Sequence, residues 1–227
     1  MKIMHVDASA KRERSNSRAL SRYFLERLRE KGAQFEVDYL DVAIDTPPHV
    51  DEAFAIATYT AAQDRTPAMK ATLAGSDALC QRLLDADAFV FAMPMYNWSM
   101  PSAFKAFIDS ITRAGLTYVS AHDGRAVGQL SRQKVLFITS RGADLRAGSP
   151  CEGMDALTPS LKAAFGFLGV ADPTFVDAQP LQFADPDARA EALQRARAEL
   201  DAVASSWASS SAESSNETFN ALSGVTA

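Results

Sequence analysis

Three short stretches of this chain carry side chains that could grip and activate a small molecule. The densest, residues 88–101, reads AFVFAMPMYNWSMP. Within it Met95, Tyr96, Asn97 and Trp98 combine ring surface for stacking with an amide for in-plane hydrogen bonds, a set suited to a flat ligand with polar edges. The second stretch, residues 7–17, holds Ser9, Ser15, Asn16 and Ser17 together with Lys11, Arg12 and Arg14. Hydroxyls beside the unpaired N–H groups of a helix N-terminus seat a phosphate, and the cations add positive potential. The third is Thr139-Ser140-Arg141-Gly142-Ala143. There Gly142 permits close backbone approach or a positive φ, and the N–H groups with Ser140 could donate to the carbonyl edge of a ring. Each stretch also has a plain structural reading: aromatics that close a core, a Ser or Asn helix cap, a turn. Capping needs one such residue, and the second stretch has four.

What the chain lacks is equally informative. The second stretch has neither the glycines of GxGxxG nor a Walker loop, which disfavours NAD bound in Rossmann fashion and ATP. No HxH, HExxH or carboxylate cluster suggests a metal, and no GxSxG elbow suggests a serine hydrolase. His5 sits inside an apolar strand, as a hydrogen-bonded core histidine does, while His49 and His122 are isolated. The two cysteines, Cys80 and Cys151, have no metal-ligand spacing and no CxxC; reduced thiols in a cytoplasmic protein are expected. Phosphate, stacking and amide features without an acid–base pair fit a bound cofactor that carries the reaction, with no catalytic side chain beyond it.

These stretches must be positioned by something, and the surrounding sequence alternates strand and helix five times. Lys2–Val6, Gln34–Leu40, Ala88–Met93, Val135–Thr139 and Thr174–Ala178 read as strands. Helices are expected at about Ser17–Glu30, Asp51–Thr60, Ala68–Leu84, 101–114 and Met154–Leu168. A last helix opens on Asp185-Pro186 as N-cap and N1. Strands apolar on both faces belong in a parallel sheet covered by helices on both sides. The economical arrangement is a doubly wound α/β fold with a five-stranded parallel sheet in the order 2-1-3-4-5. Its binding crevice lies at the carboxyl ends of strands 1 and 3, where all three chemical stretches converge. Residues 115–133 read as irregular. From Ser205 eight of the last 23 residues are Ser, so residues 1–204 form the domain and 205–227 a tail expected to be disordered.

At 227 residues, 47% apolar and 22% charged, the chain has an ordinary globular composition. A net charge of −5 argues against nucleic acid or an anionic membrane as partner. No apolar stretch is long enough to span a membrane, and no signal-peptide pattern opens the chain.

At the three stretches the chain resembles the FMN-dependent NADH-azoreductases, also described as NADH:quinone oxidoreductases, of flavodoxin-like fold. The matching residues are Ser9 with Ser15-Asn16-Ser17, Met93-Pro-Met-Tyr-Asn-Trp98 and Thr139-Ser-Arg-Gly142, with further likeness at Arg113-Ala-Gly-Leu-Thr117 and Phe165-Gly-Phe-Leu-Gly169. The resemblance implies non-covalent FMN, with Ser9, Ser15, Asn16 and Ser17 about the phosphate, and Met95, Tyr96, Asn97, Trp98, Ser140, Arg141, Gly142 and Ala143 about the isoalloxazine. It implies a homodimer with the site at the subunit interface. It also implies a two-electron ping-pong cycle in which NADH or NADPH gives hydride to the flavin and a quinone or azo compound takes it. Two departures stand out: Ala143 replaces a common second glycine, and Trp98 a commoner Phe. The alternative is a flavodoxin-type one-electron carrier without NAD(P)H activity, for which the basic residues in the stretch 7–17 are poor support. A third reading is a fold member without FMN that serves binding or regulation.

Overall fold

The computed structural model describes the backbone of residues 1–223 and the side chains of residues 1–209. In chain order the elements are β1 (Lys2–Asp7), α1 (Asn16–Glu30), β2 (Glu36–Asp41), α2 (Glu52–Tyr59), α3 (Pro67–Asp85) and β3 (Ala88–Pro94). Then follow α4 (Ser102–Ile111), β4 (Tyr118–Ser120), β5 (Ala126–Gly128), β6 (Lys134–Ser140), α5 (Leu157–Phe167), β7 (Thr174–Ala178) and α6 (Pro186–Ser223). The main sheet runs β2-β1-β3-β6-β7, all parallel. This is the expected 2-1-3-4-5 order, with β6 and β7 as its fourth and fifth strands.

Side-chain size along β3 explains how the two faces are filled. Phe89, Phe91 and Met93 point to the face covered by α3, α4 and α5. Ala88, Val90 and Ala92 point to the other face, where small side chains let α1 and α6 lie close. Phe91 is the hub of the first face, with the rings of Phe104, Phe107, Phe137 and Phe165 around it. Truncating such a ring to Ala costs about 3–5 kcal/mol. The helical spacing of Phe104, Phe107, Ile108 and Ile111 puts all four in that core, and Leu20, Phe24 and Leu28 do the same for α1 on the opposite face.

One expectation is corrected. Residues 115–133 are not irregular throughout: β4 and β5 form an antiparallel hairpin. Its strands are too short to show an alternating pattern, and close docking holds it instead. A side chain at Gly128 would collide with the Leu168 and Gly169 backbone, and the Tyr118 ring meets Phe167 at 4.8 Å. Helix α6 runs through residue 204 and continues to Ser223. Trp207 is buried there, edge-on to Phe24 at 5.2 Å, because one face of the helix keeps its apolar contact with α1 despite the serines. Residues 224–227 of the expected tail lie outside the described residues. Among the described residues no helix is long and apolar enough to cross a membrane.

Candidate functional site

At the carboxyl edge of the sheet, the loops after β1, β3, β6 and β7 enclose an open cleft of about 770 Å³. Ser9, Ser15, Asn16, Met95, Tyr96, Asn97, Trp98, Ser140, Arg141, Gly142 and Ala143 all line it. Of the expected site residues only Ser17 does not. Its side chain is fully buried and its hydroxyl bonds that of Ser15 at 3.2 Å.

The first loop is built on the start of α1. Ser15 is the N-cap, accepting the Arg18 N–H. The first-turn N–H groups of Asn16 and Ser17, which the helix cannot satisfy itself, therefore lie at one end of the cleft. Ser9 turns the loop by accepting the Lys11 N–H at 3.3 Å. Beneath it lies a buried polar network that sequence reasoning missed. Arg18 donates to the Ser9 carbonyl at 2.7 Å, to Asp41 at 2.8 Å and to Asp7 at 3.3 Å. Tyr39 donates to Asp7 at 3.0 Å, and His5 Nε2 lies 3.3 Å from the same carboxylate. Burial alone would raise the Asp7 carboxyl; the His5, Tyr39 and Arg18 contacts outweigh it and hold it below its ordinary value. Burial first, then Asp7, pushes the Tyr39 phenol up to about 12. No local pattern of residues marked it: Asp7 stands opposite Asp41 only through the register of β1 and β2.

The second loop is a two-residue reversal. Tyr96 and Ser99 exchange backbone hydrogen bonds of 2.9 and 3.0 Å, and Asn97 and Trp98 between them have φ of 47° and 71°. Positive φ at both central positions is the geometry of a type I′ turn. Asn accepts it readily, whereas a bulky Trp does so at a cost of about 1–3 kcal/mol. The reversal presents Asn97 and Trp98 at the cleft, with Trp98 37% exposed.

In the third loop the Arg141 side chain turns away from the cleft. It is buried, donating to Thr139 at 2.9 Å, Asp155 at 2.8 Å and Thr158 at 2.7 Å, and it pairs with Asp177 at 3.0 Å. Arg141 thus anchors the loop. Gly142 has no positive φ; its smallness serves contact with the chain itself, since an added Cβ would stand 3.1 Å from Gln182 and 3.2 Å from the Phe183 ring.

That contact introduces a fourth wall, unanticipated from sequence: Leu181, Gln182 and Phe183 after β7, and Arg189 from the first turns of α6. Phe183 is 80% exposed, and an exposed aromatic just after a strand's carboxyl end was the available clue. The Gly142 carbonyl accepts the N–H groups of Leu181 and Phe183 at 3.1 Å each, fixing this wall to the third loop. The lining carries Lys11, Arg14 and Arg189 and no carboxylate, in a chain of net charge −5. Such a lining favours a phosphate at the α1 end. Cys80 takes no part: it is buried in the core, and burial pushes its thiol up to about 11. None of residues 115–133 lines the cleft.

A family model described as flavodoxin-like fold matches residues 1–204. The FMN-dependent NADH:quinone oxidoreductase 2 of Trichormus variabilis is 38% identical over 205 residues, covering 90% of this chain and 99% of that protein. The FMN-dependent NADH:quinone oxidoreductase of Bordetella petrii is 36% identical over 203 residues, 89% of this chain and 95% of its own. Among solved structures, an FMN-dependent NADH-azoreductase from Bacillus anthracis in complex with FMN aligns with a TM-score of 0.80 at 25% identity, over 91% of this chain and 99% of that one.

Proposed function

The chain belongs to the family of FMN-dependent NADH:quinone oxidoreductases of flavodoxin-like fold, and from that membership we propose how its cleft works as an FMN-dependent oxidoreductase that passes electrons from NAD(P)H to quinones and azo compounds. The residues present fit the cofactor. Ser9, Ser15 and the first-turn N–H groups of α1, with Lys11 and Arg14, hold the phosphate. Met95–Trp98 and the backbone of residues 140–143, which line the other half of the cleft, would hold the isoalloxazine. FMN, when bound, supplies the hydride acceptance and donation that no side chain of the cleft offers.

The protein's part is binding and orientation. The Asn97 amide and the N–H groups of residues 142–143 provide in-plane donors to a ring edge, which favours negative charge developing there; the Arg141 N–H is held by the Ala178 carbonyl at 3.0 Å. Arg141 and the Gly142–Leu181 bonds keep those donors in place, and the exposed rings of Trp98 and Phe183 offer apolar surface at the cleft for a planar group. A ping-pong order belongs to the reading, in which nicotinamide and acceptor would use the same side of the cleft in turn. The reading includes a homodimer, in which a second copy completes this open side, and a cytoplasmic setting for the two free cysteines. The carrying observation is the convergence of three separate loops on one carboxylate-free, cationic cleft with a helix N-terminus at one end and an aromatic-amide turn along its side. That lining also disfavours a one-electron carrier, whose flavin surroundings are expected to be acidic.

The test loads purified protein with FMN and follows NADH and NADPH oxidation with a benzoquinone and with an azo dye. Turnover above the free-FMN background is expected. Its absence with both acceptors would sink the proposal.

A further inference from the structure

The two walls of the ring-binding half of the cleft are tied together at two levels. At the floor, β3 and β6 carry their pairing past Pro94, where the Met95 N–H donates to the Ser140 carbonyl at 2.9 Å. Higher up, the sheet no longer holds Trp98 at a set distance from the Arg141 loop. Each is instead fastened to one of two adjacent residues at the head of α5, Trp98 to Ala156 and Arg141 to Asp155. The Ala156 N–H donates to the Trp98 carbonyl at 3.1 Å, the only backbone hydrogen bond among the described residues that ties Tyr96–Ser99 to a later element. Next to it, one oxygen of Asp155 accepts from Arg141 Nη1 at 2.8 Å. The other accepts the N–H groups of Leu157 and Thr158 at 3.0 Å each, which caps the helix. Arg141 Nη2 closes the ring on the Thr158 hydroxyl.

From this arrangement we infer that Asp155 is a positioning residue: with Ala156 it clamps Trp98 to the residue 140–143 backbone and so sets the width of the ring-binding half of the cleft. What fills that width rests on the FMN reading above; the clamp is a property of the chain alone. The reason such a device is needed is the backbone of the turn. Trp98 sits at a φ of 71°, a conformation that persists only where the surroundings over-determine it. Loss of Asp155 frees the 155–156 segment and with it the bond to the Trp98 carbonyl. Arg141 keeps Asp177 at 3.0 Å, so the third loop stays folded and the cleft widens without collapsing.

Two substitutions separate positioning from helix capping. Asp155→Asn retains an oxygen for the cap, where Asn serves as well as Asp, but its NH₂ cannot accept from Arg141. Asp155→Ala removes both functions. The chain has two tryptophans, so in a Trp207→Phe background the emission of the apo-protein reports Trp98 alone. If that background unfolds, 5-fluorotryptophan labelling of the unaltered chain resolves the two by NMR. We expect Asp155→Ala to red-shift Trp98 and increase its quenching by acrylamide, with Asp155→Asn part of the way. The dissociation constants of FMN and riboflavin should rise by the same factor, about tenfold (~1.4 kcal/mol), because the phosphate end is untouched. Full restoration by Asn would reduce Asp155 to a helix cap and overturn the inference. So would unchanged Trp98 emission in a folded Asp155→Ala protein, or a loss confined to FMN. If Trp98 shifts as expected while the unaltered protein binds neither flavin, the clamp stands and the FMN reading falls.

Discussion

Arg18 directs its Nη2 onto the carbonyl oxygen of Ser9 at 2.7 Å, so a buried cation in the first turn of α1 holds the loop that precedes that helix. The same guanidinium lies between Asp7 and Asp41. The cleft-lining loop after β1 is therefore supported from beneath by charges that never reach the cleft.

Arg18→Ala should leave two buried carboxylates without their cation, at a cost of about 3–5 kcal/mol, read as a drop in the urea midpoint. Arg18→Lys keeps the charge but loses the fork that spans Ser9, Asp7 and Asp41. It should destabilise less, and should weaken FMN more than riboflavin because only the phosphate loop is released. Titration calorimetry with the two flavins checks this; equal losses would place the effect elsewhere.

The network also sets a pH response. Asp7 has its pKa lowered on folding, so its contribution is complete above the ordinary value of 3.8 and is lost as pH falls through the lowered one. Tyr39 has its pKa raised, so the stability from its neutral phenol is whole below 10 and is lost as pH rises towards about 12. Chemical denaturation across pH should give a plateau bounded by these two losses. Replacing Tyr39 with Phe should reduce the alkaline one, to which the buried Cys80 thiol, pushed up to about 11, also contributes, and tyrosinate absorbance should lose its transition at about 12.

The turn at Asn97 and Trp98 separates strain from binding. Trp98→Gly relieves a positive φ and should raise stability by about 1 kcal/mol while weakening flavin retention through the lost ring. Asn97→Gly should be close to neutral for stability and still lower flavin affinity, since the amide is gone. Thermal melts of the apo-proteins beside flavin dissociation constants test both halves.

Two glycines should respond differently to the same methyl group. Gly128→Ala meets Leu168 and Gly169 backbone atoms at 1.9 and 2.1 Å, where nothing can move aside. It should undock the β4–β5 hairpin at a cost of about 3 kcal/mol or more. Gly142→Ala meets Gln182 and Phe183 side-chain atoms at 3.1 and 3.2 Å, and the exposed Phe183 ring can swing away. Stability should change by less than about 1 kcal/mol, with the effect appearing as an altered KM for the quinone. Melting temperatures and steady-state kinetics of the pair decide it.

The sequence by itself determined what depends on local burial and local hydrogen bonding. The doubly apolar β3 segment dictated a sheet covered on both faces, Ser15 and Asp185 marked helix starts with their side-chain oxygens, and three loops ending parallel strands had to share one edge. Only the tertiary structure decided which polar groups meet across that edge. Arg18 reaches Asp41 because β1 and β2 pair in one register. Arg141 turns inward because Asp155 and Asp177 arrive from α5 and β7. Phe183 and Arg189 join the cleft through a connection that no periodicity describes, and Trp207 is buried because α6 keeps one face against α1. Apolar periodicity records which way a side chain points relative to its own element. Pairing between charges distant in the chain depends on how separate elements are aligned, and no local pattern of residues carries that alignment.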